Sequence, residues 1–332
     1  MKEPKRILFV SQQIYPFLDT ESPIRLRNRQ MPEYFQSKGF ETRTFMPKFG
    51  EINERRNQLH EVIRLSGINL IISDSDHPLL IKVASIQSAR IQIYFIDNDD
   101  YFARRAVLTD EEGKPFKDND DRAIFFARGM LETVKKLRWA PTIVHCHGWF
   151  SAIAPMYLKK VFYDDPLFRD VKIVVTLCDD KFEKQLSDNF KEKIASEGVN
   201  DPKLEDLSIP SYENLYRFVM EYADGIVVTS PNADKAVLEY AKSQGVRTTL
   251  IAYIMAVVIA ITIVLSIKVM GIILLLSLVT IPTVVANDIS KDYRLISLLS
   301  VAIAVVANIV GFLLSYEYDV PTGSCIIFIL IV

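Results

Sequence analysis

Three short runs gather the residue types that do chemistry. His145-Cys146-His147-Gly148-Trp149 places two imidazoles and a thiol directly after the apolar run Thr142-Ile143-Val144. Asp97-Asn98-Asp99-Asp100 and Asp118-Asn119-Asp120-Asp121, the second followed by Arg122, gather carboxylates beside aromatic residues. Two histidines flanking a cysteine can ligate a metal, but positions i and i+2 with no third ligand in view fall short of a closed site. A buried structural role suits His145, whose strand position should be buried. For the acidic runs the plain expectation is solvated loops, since clustered acids mostly face water.

These runs need elements to hold them. Ile7-Leu8-Phe9-Val10 is a short continuous apolar run, as in a strand buried on both faces of a parallel sheet. Helical spacing follows over Ile24 to Ser37, with Lys38-Gly39 as a stop, and Phe40 to Met46 alternates as a second strand. Short strands are predicted at Glu61 to Leu65, Ile68 to Ile72, Leu79 to Ala84 and Ile91 to Ile96. A helix is predicted over Arg122 to Leu137, with Lys135 and Lys136 in its last turn. The run ending in His147-Gly148 is predicted as a strand leading straight into a helix start. That places both residues at the carboxyl edge of the sheet, where ligands bind and where the free N–H groups of the next helix favour anionic oxygens. Beyond it come a strand over Lys172 to Leu177, an irregular charged stretch from Asp179 to Leu207, a helix over Tyr212 to Tyr222, a strand over Ile226 to Thr229 and a helix over Pro231 to Ser243 with proline in its first turn.

Composition divides the chain. Of its 39 basic and 41 acidic residues, seven lie beyond Thr249, namely Lys268, Asp288, Lys291, Asp292, Arg294, Glu317 and Asp319. The hydrophobic fraction of 49% is therefore an average of two unlike parts, and the net charge of -2 gives no reason to expect a nucleic-acid partner. Cys146, Cys178 and Cys325 are odd in number and form no Cys-x-x-Cys pair, so no disulfide framework is indicated. The apolar run after the basic N-terminus is far shorter than a signal peptide's core, so the N-terminal part is expected in the cytoplasm.

The runs Ile7 to Ser11, Tyr94 to Asn98, Asp118 to Phe126, Ile143 to Trp149 and Ala223 to Pro231 resemble the N-terminal half of bacterial glycogen and starch synthases, over residues 5 to 245. The resemblance implies an α/β Rossmann-like domain that is one half of a GT-B glycosyltransferase, working on ADP-glucose as donor substrate and α-glucan as acceptor, with no further cofactor and no metal. The family's His-Asp-Trp histidine falls on His147, which by resemblance is the catalytic residue touching the donor sugar. Gly148, Trp149, Asp118, Asn119 and Arg122 are the implied substrate-binding positions. Two departures stand out. The family's Lys-Thr-Gly-Gly-Leu loop is replaced by Leu18-Asp19-Thr20-Glu21-Ser22-Pro23, which has neither the glycines that let backbone approach a phosphate nor the lysine. The C-terminal nucleotide-binding half of the family is not matched. Since one wall of a cleft does not hold a transition state, little or no turnover is expected from residues 1–249 alone.

After Thr249 the chemistry is that of lipid. Leu250 to Ile267 holds eighteen uncharged residues, about 27 Å of helix against a hydrocarbon layer of about 30 Å. Val269 to Ala286 and Leu295 to Ser315 give two more predicted spans, making three or more transmembrane helices over residues 250–332. Lys291 and Arg294 between the second and third predict a cytoplasmic loop there, which returns the N-terminal domain to the cytoplasmic side of the inner membrane. The run Ser266 to Leu276 with Thr280 to Ala286, and later Tyr316 to Asp319 with Pro321-Thr322-Gly323, resembles the C-terminal part of zinc and manganese ABC transporter permeases. That implies other permease helices and an ABC-type ATPase subunit as partners, because the chain contains no Gly-x-x-x-x-Gly-Lys-Ser/Thr loop of its own. Asn308 and Thr280 are candidate pathway residues, with helix packing as the commoner use of isolated polar groups. The other classes open at this point are a permease component and a non-catalytic, membrane-tethered module binding glucan or sugar nucleotide.

Overall fold

A computed structural model describes residues 5–18, 23–230, 233–243, 272–289, 293–318 and 322–331. The chain divides into two compact units, Met1–Thr248 and Thr249–Val332.

The first unit is built on one sheet. Its strands are β1 (Arg6–Ser11), β2 (Glu41–Pro47), β3 (His60–Glu61), β4 (Ile68–Ile72), β5 (Ser75–Ile86), β6 (Ile91–Asp97), β7 (Ile143–His147), β8 (Lys172–Leu177) and β9 (Gly225–Val228). The spatial order β6-β2-β1-β7-β8-β9 is parallel throughout, and β5 with its neighbours β3 and β4 adds an antiparallel margin beside β6. The six parallel strands wind outward from β1 in one direction and from β7 in the other, which is the doubly wound arrangement of dinucleotide-type folds. Leu8, Phe9, Val10 and Val144 are fully buried, as a strand covered on both faces requires.

Helices flank the sheet: α1 (Pro23–Ser37), the short α2 (Asp99–Phe102), α3 (Asn119–Leu137), α4 (Ala154–Lys160), α5 (Phe190–Ser196), α6 (Tyr212–Met220) and α7 (Lys235–Ser243). The ring of Phe35 in α1 lies tilted 6.0 Å from that of Phe9 in β1, while that of Phe126 in α3 lies 6.0 Å from Phe150, just past β7.

Several sequence expectations are corrected. Glu61 to Leu65 does not form a strand: His60 and Glu61 pair with β5, Val62 N–H donates to Ile81 O at 2.8 Å, and the chain then turns, with Leu65 N–H donating to Val62 O at 2.8 Å. The turn buries Leu65 and leaves Ile63 83% exposed, so burial of one leucine outweighs the alternating pattern. The stretch from Asp179 to Leu207 is not wholly irregular. Phe190 and Ile194, four apart and buried, form the apolar face of α5, and Asp201 caps a 3-10 helix at Pro202–Ser208 by accepting the Lys203 N–H at 2.9 Å. The last helix of the unit begins later than expected. Asp234 accepts the Ala236 and Val237 N–H groups at 3.0 and 3.1 Å, a side-chain cap that fixes the start of α7, while Pro231 lies outside the described residues.

In the second unit, α8 (Ile272–Ile289), α9 (Tyr293–Tyr318) and α10 (Thr322–Ile331) pack together around Ala307, Ile326 and Leu330. One described helix is long and apolar enough to cross a membrane, Leu295–Glu317 of α9, with mean hydropathy 2.5 and 11% of it buried. Leu298, Val301 and Phe312 on it are 70%, 61% and 61% exposed, the inverse of a soluble core helix. The expected first span, Leu250 to Ile267, lies outside the described residues, as do residues 269–271 of the second.

Candidate functional site at the open edge of β1 and β7

β1 and β7 are neighbours in register, Ser11 opposite His147, and the winding of the sheet reverses between them. A crevice opens beyond the carboxyl ends of such a strand pair because the connections leave in opposite directions. Gln12 N–H donates to His147 O at 3.2 Å, tying the two strand ends together. Gly148 then takes φ +84°, and a Cβ there would stand 3.0 Å from Gln12 Oε1 and 3.1 Å from Asp180 Oδ2. Glycine is required on both counts, backbone conformation and clearance.

The next two amides donate inward. Trp149 N–H donates to Asp180 Oδ2 at 2.7 Å and Phe150 N–H to Gln12 Oε1 at 3.3 Å. The expectation that these amides stand free for an anionic oxygen is thereby corrected: a carboxylate and an amide of the chain itself take them. Asp180 Oδ1 accepts the Tyr212 O–H at 2.9 Å, so one carboxylate joins the β7 exit to α6. Burial raises the Asp180 carboxyl above the usual carboxylate range, against the lowering effect of these donors. Around this edge lies a cavity of about 580 Å³, with Gln12, Asn119, Gly148, Trp149, Asp180 and Phe182 on its walls. Trp149 and Phe182 meet edge-on at 4.9 Å and give it an aromatic side.

The two histidines sit on one face of β7 with ring centres 4.1 Å apart, and Phe9 lies beside both. His145 shares a 2.7 Å hydrogen bond with Thr176 Oγ1, and burial pushes its imidazole down to about 4, so it is neutral near pH 7. His147 is 1% exposed, and neither of its nitrogens has a partner among the described residues. Burial, then His145, then Arg27 lower its proton affinity well below the usual imidazole range. Cys146 and Cys178 are buried thiols; burial raises both, Cys178 to about 12. Among the described residues no group of His, Cys, Asp and Glu is arranged to hold a metal ion.

The acidic runs are solvated only in part, a second correction: Asp99 and Asp100 are exposed, and their neighbours are not. Asn98 is buried and caps α2, its Oδ1 accepting the Asp100 and Tyr101 N–H groups at 3.0 and 3.2 Å. Asp120 is fully buried and, with Asp121, accepts Lys193 of α5 at 2.8 Å in each case. Arg122 is fully buried too. It donates to Tyr101 O at 2.8 Å and Asn119 Oδ1 at 2.6 Å, and its guanidinium lies 5.3 Å from the Phe102 ring centre and 5.5 Å from that of Phe49. Burial and the nearby Arg104 lower its affinity for the proton to about 10. Asp118 pairs with Arg104. Of the three positions expected to bind substrate from this run, only Asn119 reaches the cavity; Arg122 acts by holding Asn119, whose Nδ2 donates to Leu108 O at 2.8 Å. Gln12 and Asp180 are site residues that the sequence reading did not single out. Both lie just past the ends of strands at the same edge, which is the signal that could have found them.

Residues 6–252 match the model of the starch synthase catalytic domain. The chain belongs to the starch synthase catalytic domain family. Residues 237–332 match the ABC 3 transport family. The starch-synthase-like part is 39% identical over 173 residues to a glycogen synthase of Pelodictyon phaeoclathratiforme, covering 52% of this chain and 35% of that protein. It is 30% identical over 242 residues to a glycogen synthase of Chlorobaculum parvum, covering 70% and 47%. The chain thus spans between about a third and a half of the length of these curated relatives. A solved structure, the catalytic domain of starch synthase IV from Arabidopsis thaliana bound to ADP and acarbose, superposes with a TM-score of 0.55 at 16% identity over 69% of this chain and 45% of that one. The starch-synthase-like unit therefore has the Rossmann-like glycosyltransferase fold, and the ABC 3 match together with the apolar α9 associates the second unit with membrane.

Proposed function

We propose that residues 1–249 bind ADP-glucose and α-1,4-glucan at the β1–β7 edge and take part in glucosyl transfer, with His147 at the sugar end of the cleft. The observation that carries this reading is His147 itself: a neutral, enclosed imidazole whose two nitrogens have no partner among the described residues has one donor and one acceptor to offer a hydroxyl. Gly148 allows a ligand to approach the backbone, Trp149 supplies an apolar face for a sugar ring, and Asn119, held by Arg122, adds an amide. Asp118 and Arg122 support the site from behind. The test is transfer of labelled glucose from ADP-glucose to glycogen by the full chain. Because the second half of the cleft is not matched in this chain, the expected result is weak incorporation that falls on the order of 100-fold in His147→Ala. A folded protein that neither transfers glucose nor binds glucan overturns the reading, and one that binds glucan without transfer is a binding module.

A second reading applies to residues 250–332 and rests on the ABC 3 match and the exposed apolar face of α9. This part acts as a membrane-embedded permease component that recruits further helices and an ATPase subunit, with the loop bearing Lys291 and Arg294 and the N-terminal unit on the cytoplasmic side. Co-purification of an ATPase with the full chain from membranes is the expected outcome; recovery of the chain in the soluble fraction overturns it.

A further inference from the structure

Three chain segments meet at Asp180, which follows β8 at the same edge of the sheet. Its Oδ2 accepts the Trp149 N–H of the β7 exit at 2.7 Å, and its Oδ1 accepts the O–H of Tyr212, the first residue of α6, at 2.9 Å. The rings of the same residues close a circuit: Tyr212 meets Phe182 edge-on at 5.4 Å, and Phe182 meets Trp149 edge-on at 4.9 Å. Trp149 and Phe182 line the cavity of about 580 Å³ and also a second one of about 630 Å³, so their rings form a wall common to both.

Of the links in this circuit, the carboxylate is the one that sets distance. Edge-to-face ring contacts are weak and tolerate centre separations of about 4.5 to 7 Å, whereas hydrogen bonds to a carboxylate are short and directional. Phe182 needs such a support from its neighbours. Lys181, Glu183 and Lys184 around it are exposed, and the pair of Lys181 with Asp234 at 2.7 Å has its lysine half-exposed, where an ion pair holds little. The two ends of the span are firm. Tyr212 is buried with its ring 4.7 Å from that of Tyr216, and beside Trp149 the Gly148 carbonyl accepts the Ser151 N–H at 3.1 Å and the Ser151 O–H at 2.9 Å. We propose that Asp180 is a positioning residue: its carboxylate is a strut from the β7 exit to α6 that holds Trp149 and Phe182 as one preformed wall for a glucan ring. The glucan class of the ligand rests on the glycosyltransferase reading; the strut itself rests on the two hydrogen bonds and the ring circuit.

The experiment is calorimetric titration of the full chain in detergent with maltoheptaose, paired with the thermal midpoint of each variant. The wild type is expected to bind. Asp180→Leu keeps the bulk and removes both acceptors; it should weaken binding about tenfold, since the ligand must then order two loosened side chains itself. Tyr212→Phe keeps the rings and removes one donor, for a loss of about threefold. The double variant should be no weaker than Asp180→Leu alone, because both changes act through one strut. Asp180→Asn still offers an oxygen to the Trp149 N–H and an N–H to the Tyr212 oxygen, and should stay within about twofold of the wild type. Wild-type affinity in both Asp180→Leu and Tyr212→Phe overturns the positioning role and leaves the glycosyltransferase reading standing, as does a lowered midpoint with unaltered affinity. Asp180→Asn as weak as Asp180→Leu also overturns it, since the ligand then feels the charge and not the placement. A wild type that binds no maltoheptaose overturns the glucan reading together with the role.

Discussion

Around Arg122 the chain engages two of the three guanidinium nitrogens and leaves Nη2 alone without a partner, whereas at the β1–β7 edge both nitrogens of the His147 ring are unmatched among the described residues. The arginine cage has two carbonyl or amide acceptors and several ring faces for one cation, all supplied by the protein and closed to solvent. The edge has an imidazole with no partner among the described residues, close to a cavity of about 580 Å³. Both regions hold the polar residues that a reading for chemistry picks out. What separates them is how far donors and acceptors are already spent, and that decides which region builds the fold and which receives a ligand.

The largest test of this contrast is Arg122→Met. If the cage is architectural, the variant leaves Asn119 Oδ1 and Tyr101 O without their donor and should lose about 3 kcal/mol or more of stability, read from the urea midpoint of tryptophan fluorescence. A variant of wild-type stability that fails only in ligand binding would move Arg122 into the site. Next in size is the histidine pair. His145→Phe strands the buried Thr176 hydroxyl and should cost about 1 to 3 kcal/mol, while His147→Phe removes two unsatisfied nitrogens and should be neutral or stabilising in the same assay. Equal losses would erase the distinction.

The smallest effect belongs to Asp180. Its folded carboxyl holds its proton more tightly than an unfolded one, so the stability it confers is fully present below the ordinary carboxylate range and is lost as pH rises through the raised folded value. Asp180→Asn removes that dependence. The thermal midpoint of the variant relative to wild type should climb from acid toward neutral pH, and a difference that is flat with pH would mean the two donors fully offset burial.

Most of the sheet was legible because buried parallel strands are continuous apolar runs: Ile7-Leu8-Phe9-Val10 and Lys172 to Leu177 need no partner to be recognised. The placement of His147 and Gly148 at the carboxyl edge followed from one strand running into one helix start. The division of the chain near Thr249 was visible in charge alone. What escaped was tertiary. Nothing local distinguishes Asp120, buried under Lys193, from Asp99, which is exposed, and nothing local says that Arg122 turns into an aromatic cage. Asp180 is invisible for the same reason, since its meaning depends on an amide 31 residues earlier and a hydroxyl 32 later. The loop from Leu18 to Pro23, whose missing glycines and lysine set this chain apart from the family pattern, has residues 19–22 outside the described residues.

One feature of the second unit sets a length scale. A Cβ on Gly311 would stand 2.5 Å from Ile326 Cγ1 and 2.9 Å from Ile326 Cα, so α9 and α10 meet there backbone to backbone. The crossing of the two helices is gauged by a single hydrogen atom. Between helices whose flanks offer lipid as good a contact as each other, such a point works as a key in a lock, fixing which faces meet and at what depth where greasiness alone would let them slide.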